Sequence, residues 1–276
     1  MKRAAVIGWP IEHSRSPLIH GHWLKTYGID GSYTKIAVKP EAVAGFLATL
    51  AEQGLAGCNV TLPHKEAAFA AAAERDKSAL AVGAANTLWL ADGRLHAANT
   101  DTYGFMRHLD VSAPDWRQKD RPVLILGAGG AARGIVYGFL EAGVGEVRVA
   151  NRTRSRAEEI ARHFGPRVNA LDWQDAAVGA RDAGVLVNTT SLGMAKTGPL
   201  DFDVGRLPHD ATVADIVYVP LETELLARAR ARGLVAVDGL GMLLHQAVPG
   251  FAKWFGVTPE VTPQLRDIIV RDIEGR

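Results

Sequence analysis

Lys65 stands in "NVTLPHKE", two residues after a proline suited to the first position of a helix. A cation in the first helical turn opposes the macrodipole. A lysine kept in that unfavourable place, just past the carboxyl end of a strand, is a candidate for proton exchange. The plainer alternative is a surface lysine tied to Glu66 or Glu74. "GAANT" and "AANTDTYG" place Asn86-Thr87 and Asn99-Thr100-Asp101 at the two ends of one hairpin. There, amides and a carboxylate can converge on a ligand with several hydroxyls, although turn formation alone would also explain Asn and Asp. In "HSRSP", Ser16 before Pro17 reads as an N-cap followed by a first-turn proline. With the Ser14 hydroxyl beside it, this helix N-terminus can hold an anion.

A second group of residues suits a dinucleotide. "VLILGAGGAA" fits G-x-G-x-x-A through Gly127, Gly129 and Ala132, and it follows an apolar strand and opens a helix. Gly127 permits the tight turn, and Gly129 lets the backbone approach a pyrophosphate held on free helix N–H groups. Gly134 and Gly138 are expected to bring that helix close to the sheet. The next strand ends in "VRVANRTRSR". An NAD site usually carries Asp or Glu here, to hold the ribose 2′-OH. This chain instead offers Asn151, Arg152, Thr153, Arg154, Ser155 and Arg156. A 2′-phosphate needs multidentate cationic donors, which arginine supplies and a carboxylate would repel. The stretch therefore reads as a selector for NADP, with Arg152 and Arg156 as clamps, Asn151 and Thr153 as polar donors, and Arg154 left in solvent. A solvated basic loop is the bland alternative.

The elements that must position these groups alternate. "RAAVIG", "SYTKIAV" and "LAGCNVT" read as strands, separated by the helices "SPLIHGHWLKTYG" and "PEAVAGFLATLAEQG" and followed by the helix "PHKEAAFAAAA". "NTLWL" and "RLHAAN" around Asp92-Gly93 read as a hairpin. After the polar stretch 112–122, "VLIL", "EVRVANR", "AGVLVNTTS", "ATVADIV" and "LVAVDG" continue as strands. "GMLLHQAVPGFAKWFG" and "TPQLRDIIVRDI" close the chain as two helices. Strands alternating with helices imply α/β architecture with largely parallel sheets. The terminal helical pair is expected to pack back on the first domain. That makes the domains 1–111 with 240–276, and 112–239.

Composition narrows the class. With 276 residues, 47% of them apolar, 22% charged and a formal net charge of +1, nothing points to nucleic acid or an anionic membrane. No apolar run approaches the roughly 18 residues of a membrane span. The single cysteine, Cys58, excludes an internal disulfide, reads as a small buried hydrophobe and fits a reducing compartment such as the cytoplasm. His20 and His22 face different sides of a helix, and His245 has no partner at ligand spacing, so no metal is expected. "DFD" at 201–203 reads as an acidic loop. The sequence leaves oligomeric state open, a homodimer included.

Taken together, "GWPIEHSRSPLIH", "NVTLPHKE", "VGAANTL", "NTDTYGF", "LGAGGAARG", "NRTRSRAEEIA", "VNTTSLGM", "DIVYVPLET" and "DGLGMLLHQAVPGF" resemble the shikimate dehydrogenase family over essentially the whole chain. The resemblance implies an N-terminal α/β substrate domain and a Rossmann-type doubly wound domain for NADP. It also implies reversible NADPH-dependent reduction of 3-dehydroshikimate to shikimate, in aromatic amino-acid biosynthesis. Ser14, Ser16 and Tyr218 would then hold the substrate carboxylate. Thr61, Asn86, Asp101 and Gln246 would hold its hydroxyls, and Lys65 with Asp101 would form the catalytic pair. Gly127, Ala128, Gly129, Gly130, Ala131, Asn151 to Arg156, Ile216 and Gly239 would line the cofactor. The chain departs from the family pattern at Ala97-Ala98 and in "GAANT", small-for-small changes, and at Lys77, where an acidic residue can occur near the nicotinamide. A quinate/shikimate relative and a non-catalytic NADP-binding sensor are the competing readings. The arginines argue against the first, and retention of Lys65 and Asp101 argues against the second.

Overall fold

The computed structural model describes the backbone of residues 1–276 and the side chains of 1–117 and 120–276. The chain divides into two compact units, residues 1–101 with 244–276, and residues 102–243. The first comprises β1 (Lys2–Gly8), α1 (Ser16–Thr26), β2 (Gly31–Ala37), α2 (Val43–Ala48), β3 (Gly57–Val60), α3 (Lys65–Ala71), β4 (Glu74–Arg75), α4 (Lys77–Val82), β5 (Thr87–Ala91) and β6 (Arg94–Ala98). α5 (Thr100–Ser112) leads into the second unit. There follow β7 (Val123–Leu126), α6 (Gly130–Glu141), β8 (Val147–Asn151), α7 (Arg154–Phe164), β9 (Val168–Asp172), α8 (Ala176–Gly179), β10 (Val185–Asn188), β11 (Thr212–Asp215), α9 (Glu224–Ala231) and β12 (Val235–Val237). α10 (Leu240–Phe255) returns to the first unit, which α11 (Pro263–Ile273) completes. The units divide at 101/102 and 243/244, not at the expected 111/112 and 239/240. Both divisions fall inside continuous helices, α5 and α10, so no linker composition marks them.

The first unit holds a six-stranded sheet ordered β2-β1-β3-β5-β6-β4. β1 pairs in parallel with β2 and β3, and the β5–β6 hairpin adds antiparallel strands. Asp92 and Gly93 both adopt positive φ, 51° and 71°, as a two-residue hairpin turn requires. One face of this sheet covers an aliphatic core that includes Ile7, Leu47, Leu50, Val60 and Leu88. His20, Trp23, Phe251 and Trp254 are buried together in the same unit. His20 stacks on Tyr33 at 3.9 Å between centroids, and burial pushes its imidazole down to about 3, so it serves as a neutral core ring. Burial also pushes the Cys58 thiol up to about 12, which leaves it an inert hydrophobe.

The second unit is wholly parallel, ordered β12-β11-β10-β7-β8-β9. Counted from β7, this is the doubly wound order 3-2-1-4-5-6, with its switch point between β7 and β10. Val123 and Ile125 enter one core and Leu124 and Leu126 the other, so β7 is covered on both faces. β9 went unread in the sequence: it is an edge strand with only Val168 buried, and its polar alternation carries no apolar run. The two glycines of α6 serve α5 rather than the sheet. Thr102 Oγ1 donates to the Gly134 carbonyl at 3.0 Å, and a Cβ on Gly138 would stand 2.6 Å from Met106 Cγ.

Candidate active site

Lys65 opens α3, two residues beyond Pro63, so the helix starts later than the proline suggested but the lysine is in its first turn. Its Nζ donates to Asp101 Oδ2 at 2.5 Å, and both side chains are only partly exposed, 28% and 21%. Asp101 itself lies in the first turn of α5, where a carboxylate is favoured by the helix dipole. Its other oxygen, Oδ1, accepts from Asn86 Nδ2 at 2.8 Å. The hairpin explains the meeting. Thr87 pairs with Ala98 at its base, so Asn86 and Asn99 flank adjacent strand ends and the turn into α5 starts beside them. His64, the residue before Lys65, is anchored by its ring Nε2, 2.7 Å from the Val38 carbonyl. A carbonyl only accepts, so that nitrogen carries the proton.

Thr61 follows β3, its N–H donating to the Ile7 carbonyl at 2.9 Å. Gln246 lies on the part of α10 that belongs to the same unit and is buried. Ser14 and Ser16 precede or open α1, but neither is its N-cap. The N-cap position is Arg15, and Ser16 is the first helical residue with Pro17 behind it. The Ser16 N–H donates to Ser14 Oγ at 3.4 Å, and the Ser16 side chain is buried. Ser16 therefore does not cap the helix. Ser14→Ala is expected to weaken binding of an anionic substrate and leave dinucleotide binding unchanged. Titration of a substrate carboxylate and of the dinucleotide into the variant checks this, and unchanged affinity for the carboxylate would move the anion site elsewhere.

The second unit holds the remaining residues. Gly127 follows β7 with φ of +104°, and a Cβ there would lie 2.7 Å from Thr189 Oγ1. Only glycine suits both demands. At Gly129 and Gly130, which begin α6, an added Cβ would enter open space. The free N–H groups of that helix end thus face a cradle a phosphate can enter. Ala128 and Ala131 flank it, and Ala132 is fully buried. Asn151 ends β8, and its Nδ2 donates to the Thr153 carbonyl at 2.8 Å. Arg152, Thr153, Ser155 and Arg156 are exposed around the start of α7, and among the described residues neither Arg152 nor Arg156 makes an ion pair. Arg154 differs: it is ion-paired with Glu158 at 2.8 Å and with Asp172 on β9. Gly239 and Ile216 are brought together, since a Cβ on Gly239 would lie 2.3 Å from the Ile216 carbonyl oxygen. Unpaired arginines beside a glycine cradle fit a dinucleotide carrying a 2′-phosphate.

Sequence reasoning missed Asp215, which shapes the loop carrying Ile216 and Tyr218. It is 1% exposed, and its carboxylate accepts from Asn188 Nδ2 at 2.9 Å, the Val217 N–H at 3.0 Å and the Thr223 hydroxyl at 2.8 Å. Burial pushes this carboxyl above the ordinary carboxylate value, while the three donors pull it back. A raised acid contributes stability below its unfolded value that is lost as pH climbs through the folded one. Asp215→Asn can keep all three bonds, because the Thr223 hydroxyl can also accept. That variant should lack the pH-linked loss, whereas Asp215→Ala should orphan three donors and cost about 3 kcal/mol or more. Urea denaturation at a series of pH values reads both. A parallel pH dependence in Asp215→Asn and the parent would refute the assignment.

A parallel doubly wound sheet with a glycine-rich turn, joined to a unit bearing a Lys–Asp pair, defines a dinucleotide-dependent α/β oxidoreductase. Residues 6–88 match the shikimate dehydrogenase substrate-binding domain, 111–195 the shikimate/quinate 5-dehydrogenase domain and 239–263 the shikimate 5′-dehydrogenase C-terminal domain. The chain is 58% identical to a shikimate dehydrogenase (NADP(+)) of Azorhizobium caulinodans, over all of its own length and 98% of that relative. The structure of Thermus thermophilus shikimate 5-dehydrogenase, in complex with NADP(H) and shikimate, superposes with a TM-score of 0.86 at 36% identity, covering 99% of this chain and 100% of that one. Quinate dehydrogenase of Corynebacterium glutamicum, in complex with NAD, gives 0.89 at 31% identity, covering 98% of each. The chain belongs to the shikimate dehydrogenase family.

Proposed function

We propose that this protein catalyses the reversible NADPH-dependent reduction of 3-dehydroshikimate to shikimate, a step toward chorismate and the aromatic amino acids. The observation that carries the mechanism is the Lys65–Asp101 contact of 2.5 Å, with Asn86 on the second carboxylate oxygen. Bound NADPH supplies a hydride to the carbonyl carbon of the substrate. Negative charge then develops on the carbonyl oxygen, and Lys65 Nζ stabilises it and delivers the proton that completes the alcohol. Asp101, already accepting from two donors, orients the ammonium rather than acting as the acid. In the reverse direction the same nitrogen takes the hydroxyl proton back.

The first unit binds the substrate and the second the cofactor. Ser14 and Ser16 hold the substrate carboxylate, and Thr61, Asn86, Asp101 and Gln246 hold its hydroxyls. Among the described residues Asn86 Nδ2 donates to Asp101 alone, which leaves its second N–H for a ligand oxygen. Gly127 to Ala131 would take the pyrophosphate of NADP, Asn151, Arg152, Thr153, Ser155 and Arg156 would hold its 2′-phosphate, and Ile216 and Gly239 would line the same cofactor. Arg154, held by two carboxylates, contributes charge rather than direct contact. The reading places the enzyme in the cytoplasm, and no helix among the described residues is long and apolar enough to cross a membrane.

The likeness to an NAD-bound quinate dehydrogenase supports a second reading, an enzyme of quinate. The unpaired Arg152 and Arg156 favour NADP over NAD. Purified protein should produce NADPH absorbance from shikimate and NADP, and much less signal from either quinate or NAD. Preference for quinate with NAD would establish the second reading. Tight NADP binding without turnover of either acid would leave a sensor.

A further inference from the structure

Asn86 must present its amide, not its carbonyl, to Asp101 if the Lys65–Asp101 pair is to stay assembled. A carboxamide has nearly the same shape in both orientations, so something must choose between them. In this fold the choice is made behind Asn86. Its Oδ1 accepts from the Thr100 N–H at 2.8 Å and lies 3.1 Å from each of the Thr87 and Thr100 hydroxyls. Those two hydroxyls are 3.0 Å apart, and Thr87 Oγ1 also accepts from Asn59 Nδ2 at 3.1 Å. Asn59 Oδ1 is in turn taken by the Tyr33 hydroxyl at 2.6 Å.

The direction of the chain follows from elementary donor counting. Tyr33 donates to Asn59 Oδ1, so the Asn59 amide faces Thr87. The Thr87 oxygen accepts that bond, which turns its single hydrogen toward Asn86 Oδ1 or Thr100 Oγ1. Either arrangement leaves Asn86 Oδ1 surrounded by donors. A flipped Asn86 would set its NH2 against the Thr100 N–H and its carbonyl oxygen against the Asp101 carboxylate. Asn59, Asn86, Thr87 and Thr100 are each 5% exposed or less, so water cannot substitute, and burial strengthens every bond.

We propose that Thr87 and Thr100 are positioning residues for the reaction: their hydroxyls lock the Asn86 carboxamide so that Nδ2 holds Asp101 and, through it, Lys65. The inference rests on the reading of Lys65, Asn86 and Asp101 as the shikimate site. Both threonines are buried and act through Asn86. Valine matches threonine in shape, so Thr87→Val removes the hydroxyl with little change in packing volume.

Thr87→Val is expected to lower kcat about tenfold, the effect of losing one buried hydrogen bond in the relay. Its shikimate affinity should fall, and its KM for NADP should hold. Thr87→Ser retains the hydroxyl and should recover most of the loss. Thr100→Val, which keeps the backbone N–H, should repeat the pattern more weakly and provides the test if Thr87→Val does not fold. The deciding measurement is a double-mutant cycle with Asn86→Ala, read both in kcat and in shikimate binding by calorimetry, which needs no turnover. Once Asn86 is gone, Thr87→Val should change either quantity by less than about twofold. The same loss in both backgrounds would make the threonine merely structural and overturn the proposal, as would a Thr87→Val enzyme with parental kcat. Absence of shikimate turnover in the parent protein would instead overturn the underlying function, so the two failures are distinct.

Discussion

Lys65→Met should lower kcat by a factor of about 10²–10⁴ while leaving the KM for NADP near its parental value, the range expected on removing a general acid–base group. The reason lies in the geometry. Lys65 Nζ is the only donor to Asp101 Oδ2 among the described contacts, and both groups stand at helix starts on neighbouring ends of one sheet. Methionine keeps the length and apolar stem of lysine and deletes the proton. The fold should survive, since α3 is held through the buried His64 and Ala68 rather than through the ammonium. Asp101→Asn should also reduce kcat, because an amide cannot accept from Lys65 and Asn86 on both sides. The double variant should lose less than the product of the single losses, since the two residues act as one unit. Single-turnover kinetics, where chemistry limits the signal, are the proper measurement. A Lys65→Met enzyme with near-parental single-turnover rate would transfer the acid–base role to Asp101.

Arg152→Ala and Arg156→Ala should each raise the KM for NADP by at least about tenfold, the loss of one charged hydrogen-bonding partner to a phosphate. NAD kinetics should barely move, because the ribose 2′-OH of NAD gives these arginines no phosphate to bind. Arg154→Ala provides the contrast. That side chain is engaged by Glu158 and Asp172 and is half-exposed. Exposed ion pairs contribute little, so its removal should change the KM for NADP by no more than about twofold. Steady-state kinetics with both cofactors separate the three. Equal weakening of NADP and NAD in Arg152→Ala would make the arginine structural. A large effect at Arg154 would show that NADP displaces its carboxylate partners.

Much of this was legible in the chain. β7 and β10 are buried on both faces, so "VLIL" and "VLVN" read as continuous apolar runs. The turn after β7 admits only glycine at Gly127, and the hairpin announces itself through Asp92-Gly93. The polar residues that cluster at Lys65, Asn86 and Asp101 were visible as unusual types in unusual places. Features set by short-range sterics and by periodic burial can be inferred from neighbours in sequence.

What escaped inference depends on partners far away along the chain. β9 lies at a sheet edge, where little burial leaves no pattern to read. "NRTRSR" reads as leaving Arg154 in solvent, but folding brings it Asp172 from another strand, and it is held in ion pairs instead. Ser16 reads as a cap, but the helix starts one residue earlier than that requires, with Arg15 at the N-cap and the Ser16 N–H donating to Ser14 Oγ. Asp215 is an ordinary residue of "VADIV" until folding brings Asn188 and Thr223 to it. Thr87 reads as a strand residue, and its link to Asn59 crosses 28 positions. Residue type supplies a hydrogen-bonding group, but which partner it meets, and in which orientation, is decided by the packing of segments that local sequence does not specify.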